Sequence, residues 1–176
     1  MSDAPDFLGL TEEQYLAGLR AFMETQIPFN AFVGLRVLEL GRGHATLLLP
    51  FRPELVGDPF RPALHGGTIS MLADTAGGAA VFSGVGPGDR ISTIDLRMDY
   101  LRPAALVDTR AEARLVRLGG RVGVARIQVW QEPQEGNASD EARFGDAGDR
   151  RLVAESTGVY AVRRGVGVPA RGTTAP

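Results

Sequence analysis

Leu64-His65-Gly66-Gly67-Thr68-Ile69-Ser70-Met71-Leu72-Ala73-Asp74-Thr75-Ala76-Gly77-Gly78-Ala79-Ala80 is a glycine pair opening a helix of small residues. Ile69, Leu72, Ala73, Ala76 and Ala80 recur at the three-and-four spacing of one apolar stripe. Val81 and Phe82 extend it, and Gly84, Gly86, Pro87 and Gly88 end it. Such a helix belongs in a core. Its first-turn N–H groups have no intrahelical partners, glycine lets a foreign oxygen come close to them, and the aligned peptide dipoles make them more positive. An oxyanion can bind there.

Asp74 adds a carboxylate, and geometry limits how the two features cooperate. Gly66 and Asp74 are eight residues apart, which on a helix is about 12 Å along the axis and about 80° around it. A group attacking a carbonyl and the donors holding its oxygen must both lie about 3 Å from the reacting centre. One helix cannot bring both to one atom. Joint action requires two copies, with Gly66 of one chain facing Asp74 of the other, so the sequence implies a dimer. Read singly, Gly-Gly is also a tight helix entry, and a helical Asp is also a solvated side chain.

Working outward, Thr11 caps an N-terminal helix with Gln14 completing a capping box, and Tyr15, Leu16, Leu19, Phe22 and Met23 form its apolar face. It ends near Gln26, before Pro28. Residues 32–40 and 45–51 read as strands around a Gly41-Arg42-Gly43 turn, with His44 an exposed loop residue. A Pro- and Gly-rich loop over 53–62 leads to the central helix. Beyond it, Ile94, Leu96, Met98 and Tyr100 alternate with Thr93, Asp95, Arg97 and Asp99, the period of a half-buried strand over 91–101. That parity puts Thr93 on the face away from the helix, unless a bulge or a seam between subunits intervenes. Strands over 106–118 and 121–130 meet at Gly119-Gly120, and a last strand spans 151–162. Several long antiparallel strands with one buried helix describe an α+β sheet wrapped around that helix.

The polar stretch 131–150 reads as a flexible insertion and 164–176 as a disordered tail. Residues 1–27 then form a helical extension and 28–163 the domain proper. With 176 residues, 44% of them hydrophobic, and a net charge of −2, the chain fits one domain with a real core and lacks a nucleic-acid-binding composition. No apolar run approaches the roughly 20 residues of a membrane span, and the start lacks the regions of a secretion signal, so a cytoplasmic setting is expected. Two histidines and no cysteine do not make the usual zinc clusters. No metal or separate cofactor is expected.

His-Gly-Gly, six residues, then Asp resembles the central helix of hot dog fold acyl-CoA thioesterases, more specifically the phenylacetyl-CoA (PaaI-like) branch. The resemblance runs from about Pro28 to about Val162. It includes Pro28-Phe29-Asn30-Ala31-Phe32-Val33-Gly34-Leu35-Arg36-Val37 before the first strand and Asp95-Leu96-Arg97-Met98-Asp99-Tyr100-Leu101-Arg102-Pro103-Ala104 after the helix. It implies a hot dog fold, a thioester hydrolase, an acyl-CoA substrate whose coenzyme A is no separate cofactor, and a homodimer assembled into a homotetramer.

By that resemblance the Gly66 N–H holds the thioester oxygen, with Gly67 beside it. Asp74 activates water or attacks directly, and a strand hydroxyl, Thr93 or its rival Ser92, places the water. The thiolate leaves without strong acid help, because thiols have a pKa near 8.5. His65 is either a proton shuttle or a residue that fixes the loop by bonding to backbone. Where the family often carries an orienting Asn, this chain has Asp58, which cannot donate when ionised. Leu64, Met71 and Phe82 are candidates for the acyl pocket, and Arg61, Arg97 and Arg102 for the coenzyme A phosphates. A hot dog hydratase or dehydratase, an acyl-CoA-binding module without catalysis and a structural oligomer are the alternatives.

Overall fold

The computed structural model describes residues 9–58, 60, 62–132 and 150–165. Thr11 opens the first helix by a reciprocal cap: its Oγ1 accepts the Gln14 N–H at 3.2 Å, and its own N–H donates to Gln14 Oε1 at 2.9 Å. Helix α1 (Glu12–Ala21) runs into a π-helical turn at Phe22–Gln26. The chain then forms α2 (Pro28–Val33), where the sequence reading already starts a strand at residue 32. Pro28 is why: at the first helical position its missing N–H costs nothing and its fixed φ suits the turn. Gly34, at φ 72°, closes α2. The buried Asn30 donates its Nδ2 to the Met23 carbonyl at 2.9 Å, tying α2 back to the π-helical turn.

Eight strands follow: β1 (Arg36–Gly41), β2 (His44–Leu49), β3 (Val56–Asp58), β4 (Ala63–Leu64), β5 (Arg90–Tyr100), β6 (Thr109–Leu118), β7 (Val122–Gln131) and β8 (Arg151–Arg163). Six make one antiparallel sheet in the order β1-β2-β6-β7-β8-β5. The short β3–β4 ribbon, which the sequence reading leaves as irregular loop, stands apart. His44 is also corrected: it is the first residue of β2, half-buried, with Nε2 3.8 Å from Glu112. The turn closes before it because Gly43 takes φ 73°. Most of the expected insertion and tail, 133–149 and 166–176, lies outside the described residues.

Helix α3 (Gly66–Phe82) contacts all six strands of the sheet. Six strands at about 4.8 Å spacing would span about 24 Å if flat, twice the width of a helix. The sheet therefore curls around α3, giving the α+β architecture read from the sequence. Ile69, Leu72, Ala73, Ala76, Ala79, Ala80 and Val81 are buried against Leu47, Ala111, Ile127, Val129 and their neighbours.

Small residues on α3 permit this close approach, and Gly77 is the tightest case. A Cβ there would lie 2.2 Å from the Tyr160 hydroxyl of β8. That hydroxyl donates to the Asp74 carbonyl at 3.0 Å, one turn earlier on the helix. Burial, then the neighbouring Asp74 carboxylate, raises the Tyr160 pKa well above the ordinary tyrosine value. It stays a protonated donor.

Four bulges break the alternation of the sheet. The register shifts between Val37 and Glu39, between Thr93 and Asp95, between Leu115 and Arg117, and opposite Val129 and Trp130. In the first three the extra residue is Leu38, Ile94 or Val116, each an exposed apolar side chain, and in the fourth it is the buried Val153 of β8. In β5 the bulge reverses the face on which residues before Ile94 lie.

The two sheet edges differ. At β1, Glu24 Oε1 accepts the Val37 N–H at 2.7 Å, and Arg20 donates to the Val37 and Leu38 carbonyls. No described segment pairs with the outer edge of β5. The N-terminal segment is also tied to α3, since the Tyr15 hydroxyl donates to the Phe82 carbonyl at 2.9 Å. Burial and the Asp89 charge push the Tyr15 pKa up to about 12.

Asp89, just before β5, accepts from Gly165 N–H, Gly86 N–H and Arg164 at 3.0, 3.1 and 2.8 Å. Burial raises its pKa, but these partners together outweigh that and hold it below the ordinary carboxylate value. The ionised form thus stabilises the fold above the unfolded pKa of about 3.9, and the contribution is lost as pH falls from there through the lower folded pKa. Asp89→Asn should remove this acid-dependent part from an unfolding titration followed by circular dichroism. Gly77→Ala should cost about 1–3 kcal/mol in denaturant unfolding through overpacking. The cost should shrink in a Tyr160→Phe background, where the clashing oxygen is gone.

Candidate active site

The bulge at Ile94 turns Ile91 and Thr93 toward α3. Thr93 Oγ1 donates to Asp74 Oδ1 at 2.9 Å, so the strand hydroxyl and the helix carboxylate meet within one chain. Parity alone had put Thr93 on the far face; the one-residue register shift is the physical reason it does not stay there. Asp74 is half-buried at the wall of a cavity of about 450 Å³, with Ser92 and Thr93 beside it. A carboxylate fixed by a hydroxyl, with one oxygen left for another donor, can hold and deprotonate a water.

The start of α3 is built differently. His65 is its N-cap, and its Nδ1 accepts the Gly67 N–H at 2.9 Å. This is the loop-fixing arrangement, and it commits Gly67's donor to the imidazole. A Cβ on Gly67 would lie 2.8 Å from His65 Nδ1, and one on Gly57 would lie 2.5 Å from His65 Cα. Both glycines therefore serve the cap. The Gly66 N–H has no acceptor among the described residues, and Gly66 is exposed at the first helical position. Its carbonyl accepts from Tyr100 at 3.1 Å and from Ser70 at 3.2 Å, and those two hydroxyls lie 2.5 Å apart.

Gly66 lines a second cavity of about 310 Å³ with Leu64, Ile69, Tyr100 and Arg102. Within one chain, then, the amide donor and the carboxylate open into separate cavities. Arg102 is half-buried and donates to the Leu152 carbonyl. Arg97 is exposed on β5 and pairs with Asp99 at 3.1 Å. Asp58 ends β3, where its Oδ1 accepts the Phe60 N–H at 2.9 Å in a tight turn. Met71 packs against the core and lines neither cavity. Phe82 lines the Asp74 cavity, and Arg61 lies outside the described residues. Among the described residues no cluster of three or more His, Cys, Asp or Glu could hold a metal, and no helix is long and apolar enough to cross a membrane.

Sequence reasoning missed several groups at these cavities. Tyr160, Tyr100 and Ser70 hold the backbone of α3, and Phe22, Met23 and Ile27 wall the Asp74 cavity from the N-terminal segment. A signal for Tyr160 was present in Gly77-Gly78. Two glycines inside a helix cost about 1 kcal/mol each relative to alanine, so something must need the space.

A family profile described as Thioesterase superfamily matches residues 62–138. The medium/long-chain acyl-CoA thioesterase YigI of Salmonella typhimurium is 34% identical over 148 residues, which span 77% of this chain and 96% of the relative. YigI of Escherichia coli K12 is 33% identical over the same shares. A mutant of the phenylacetic acid degradation protein PaaI from Thermus thermophilus superposes with a TM-score of 0.58 at 28% identity, covering 76% of this chain and 97% of that one. A thioesterase from Haemophilus influenzae, at 20% identity, gives 0.64 over 92% of this chain and 96% of that one, a likeness of fold. With relatives a third identical along almost their whole length and a profile match that takes in α3, β5, β6 and β7, the chain belongs to the thioesterase superfamily, with the hot dog fold and of the PaaI type.

Proposed function

We propose that this protein hydrolyses acyl-CoA thioesters to a carboxylic acid and free coenzyme A at sites shared by two subunits. The observation that carries the reading is the Asp74 carboxylate, held by Thr93 at the wall of a largely apolar cavity. The acyl-CoA substrate of the YigI relatives supports it.

The bare edge of β5 supports the shared site. Strands left unpaired at a sheet edge recruit a second chain, and among the described residues nothing pairs with β5, whereas β1 is engaged at Val37 and Leu38. A twofold axis through β5 between Leu96 and Arg97 sets position 93 of one strand opposite position 100 of the other. Thr93 marks the Asp74 cavity, and Tyr100 the Gly66 cavity. Such a pairing therefore brings Asp74 of one copy toward Gly66 of its partner, as the spacing on α3 requires.

In this arrangement the Gly66 N–H and the positive end of its helix polarise the thioester carbonyl. Asp74 takes the proton of a water held by Thr93 or Ser92 as that water attacks, or attacks the carbonyl itself; both routes end in the same acid and thiol. Collapse of the tetrahedral intermediate expels the thiolate, stable enough at a thiol pKa near 8.5 to leave without a strong acid. His65 acts here by fixing the helix start rather than by moving protons. Arg102 and Arg97, at the Gly66 cavity and on β5, are the cations within reach of coenzyme A phosphates. A homotetramer rests on the family resemblance.

Asp74→Asn should lower thioester hydrolysis by about 10²- to 10⁴-fold while retaining acyl-CoA binding. Gly66→Pro deletes the donor at a position where proline suits a helix, and should cost about 10²- to 10³-fold. A Cβ at Gly66 meets Tyr100 only at 3.6 Å, so the fold tolerates the change. Mixing the two variants in equal amounts, with subunit exchange, should restore about a quarter of parental thiol release, because half the dimers then hold one intact site of two. No recovery on mixing would mean that each chain acts alone.

A further inference from the structure

The Asp74 cavity extends well past the carboxylate. Along α3 it passes Gly78 and reaches Phe82, and Phe22, Met23 and Ile27 from the N-terminal segment line it as well. Phe22 and Phe82 are stacked, with ring centroids 6.2 Å apart and planes 17° from parallel. Asp74, Gly78 and Phe82 follow at intervals of four residues, so they share one face of the helix.

Gly78 makes this passage legible. Unlike Gly77, it is not required by packing: a Cβ there would meet Ile91 at 3.6 Å and Tyr160 at 3.7 Å, ordinary contacts. Glycine inside a helix costs about 1 kcal/mol against alanine, and no close neighbour accounts for it here. What its missing side chain leaves open is the cavity floor, midway between the carboxylate and the aromatic pair.

We propose that this cavity holds the acyl group as an extended aliphatic chain, with Gly78 as its floor and the Phe22–Phe82 pair as its end wall. The N-terminal helical segment thereby sets the length of chain accepted. The inference rests on the hydrolase reading above and adds the residues that set the chain length. From Asp74 to Phe82 is about 12 Å along the helix. Carbon–carbon bonds of about 1.5 Å advance an extended chain by about 1.25 Å each, so the cavity fits roughly ten carbons. The lining is mostly apolar, which suits an aliphatic chain; Asp74, Ser92 and Thr93 mark its reactive end, the Asn30 amide is committed to the Met23 carbonyl, and Arg90 is exposed.

The π-helical turn positions this wall. Phe22 and Met23 are its first two residues, and Asn30 holds the Met23 carbonyl at 2.9 Å. Wide turns of this kind recur at functional sites.

The test is the chain-length profile of kcat/KM for saturated acyl-CoA esters from four to sixteen carbons, with phenylacetyl-CoA alongside, read by thiol release. The parental enzyme should gain about fourfold per added methylene up to about ten carbons, and nothing beyond. Phe22→Ala should move that break roughly two carbons or more outward. Gly78→Leu, which blocks the passage about 6 Å from Asp74, should pull it back to about five carbons. Phe22→Leu and Gly78→Ala should shift it the same ways by less, and thermal unfolding identifies any variant that fails to fold. A break at the same length in every folded variant, or phenylacetyl-CoA turned over faster than any straight chain, would overturn the acyl-chamber assignment. Hydrolysis of no ester at all by the parental protein would instead overturn the hydrolase reading.

Discussion

Everything in this molecule depends on how closely one helix can sit inside the curl of the sheet. Ala73, Ala76, Gly77 and Ala80 give α3 a surface thin enough for six strands to reach it. At the narrowest point the Tyr160 hydroxyl occupies the space a Cβ of Gly77 would take and bonds the Asp74 carbonyl. The contact that packs the core therefore also holds the backbone of the candidate carboxylate. Sites held within a fraction of an ångström need such support from rigid elements, and here the support comes from β8.

The same helix presents two chemistries at different heights. Its first turn carries an N–H at Gly66 without an acceptor among the described residues, because His65 spends its acceptor on Gly67. Two turns later, Asp74 meets Thr93. A rigid rod keeps these groups apart within one chain, and the strand beside it, bare along its outer edge, offers the way for a second rod to bring them together.

Much of this was legible in the residues. The three-and-four spacing around Asp74 and the alternation in β5 carry the α+β arrangement, and Thr11 with Gln14 carries the first helix. What escaped was set by single-residue irregularities. One extra residue at Ile94 turns Thr93 from the outer face to the inner one, and no propensity marks where a strand takes such a step. Pro28 reads as a break although it starts a helix. The contribution of Phe22, Met23 and Ile27 to the cavity depends on where the N-terminal segment folds back, which is a tertiary fact. Gly77-Gly78 was a usable clue, since a helix interior carries two glycines only where side chains are unwelcome.

Arg20 and Glu24 give the fold one more property. By bonding the backbone of β1 at Val37 and Leu38 from the chain's own N-terminal helical segment, they engage part of one sheet border, whereas no described segment pairs with β5. An edge engaged in this way disfavours the strand-by-strand growth by which long exposed strands seed fibres.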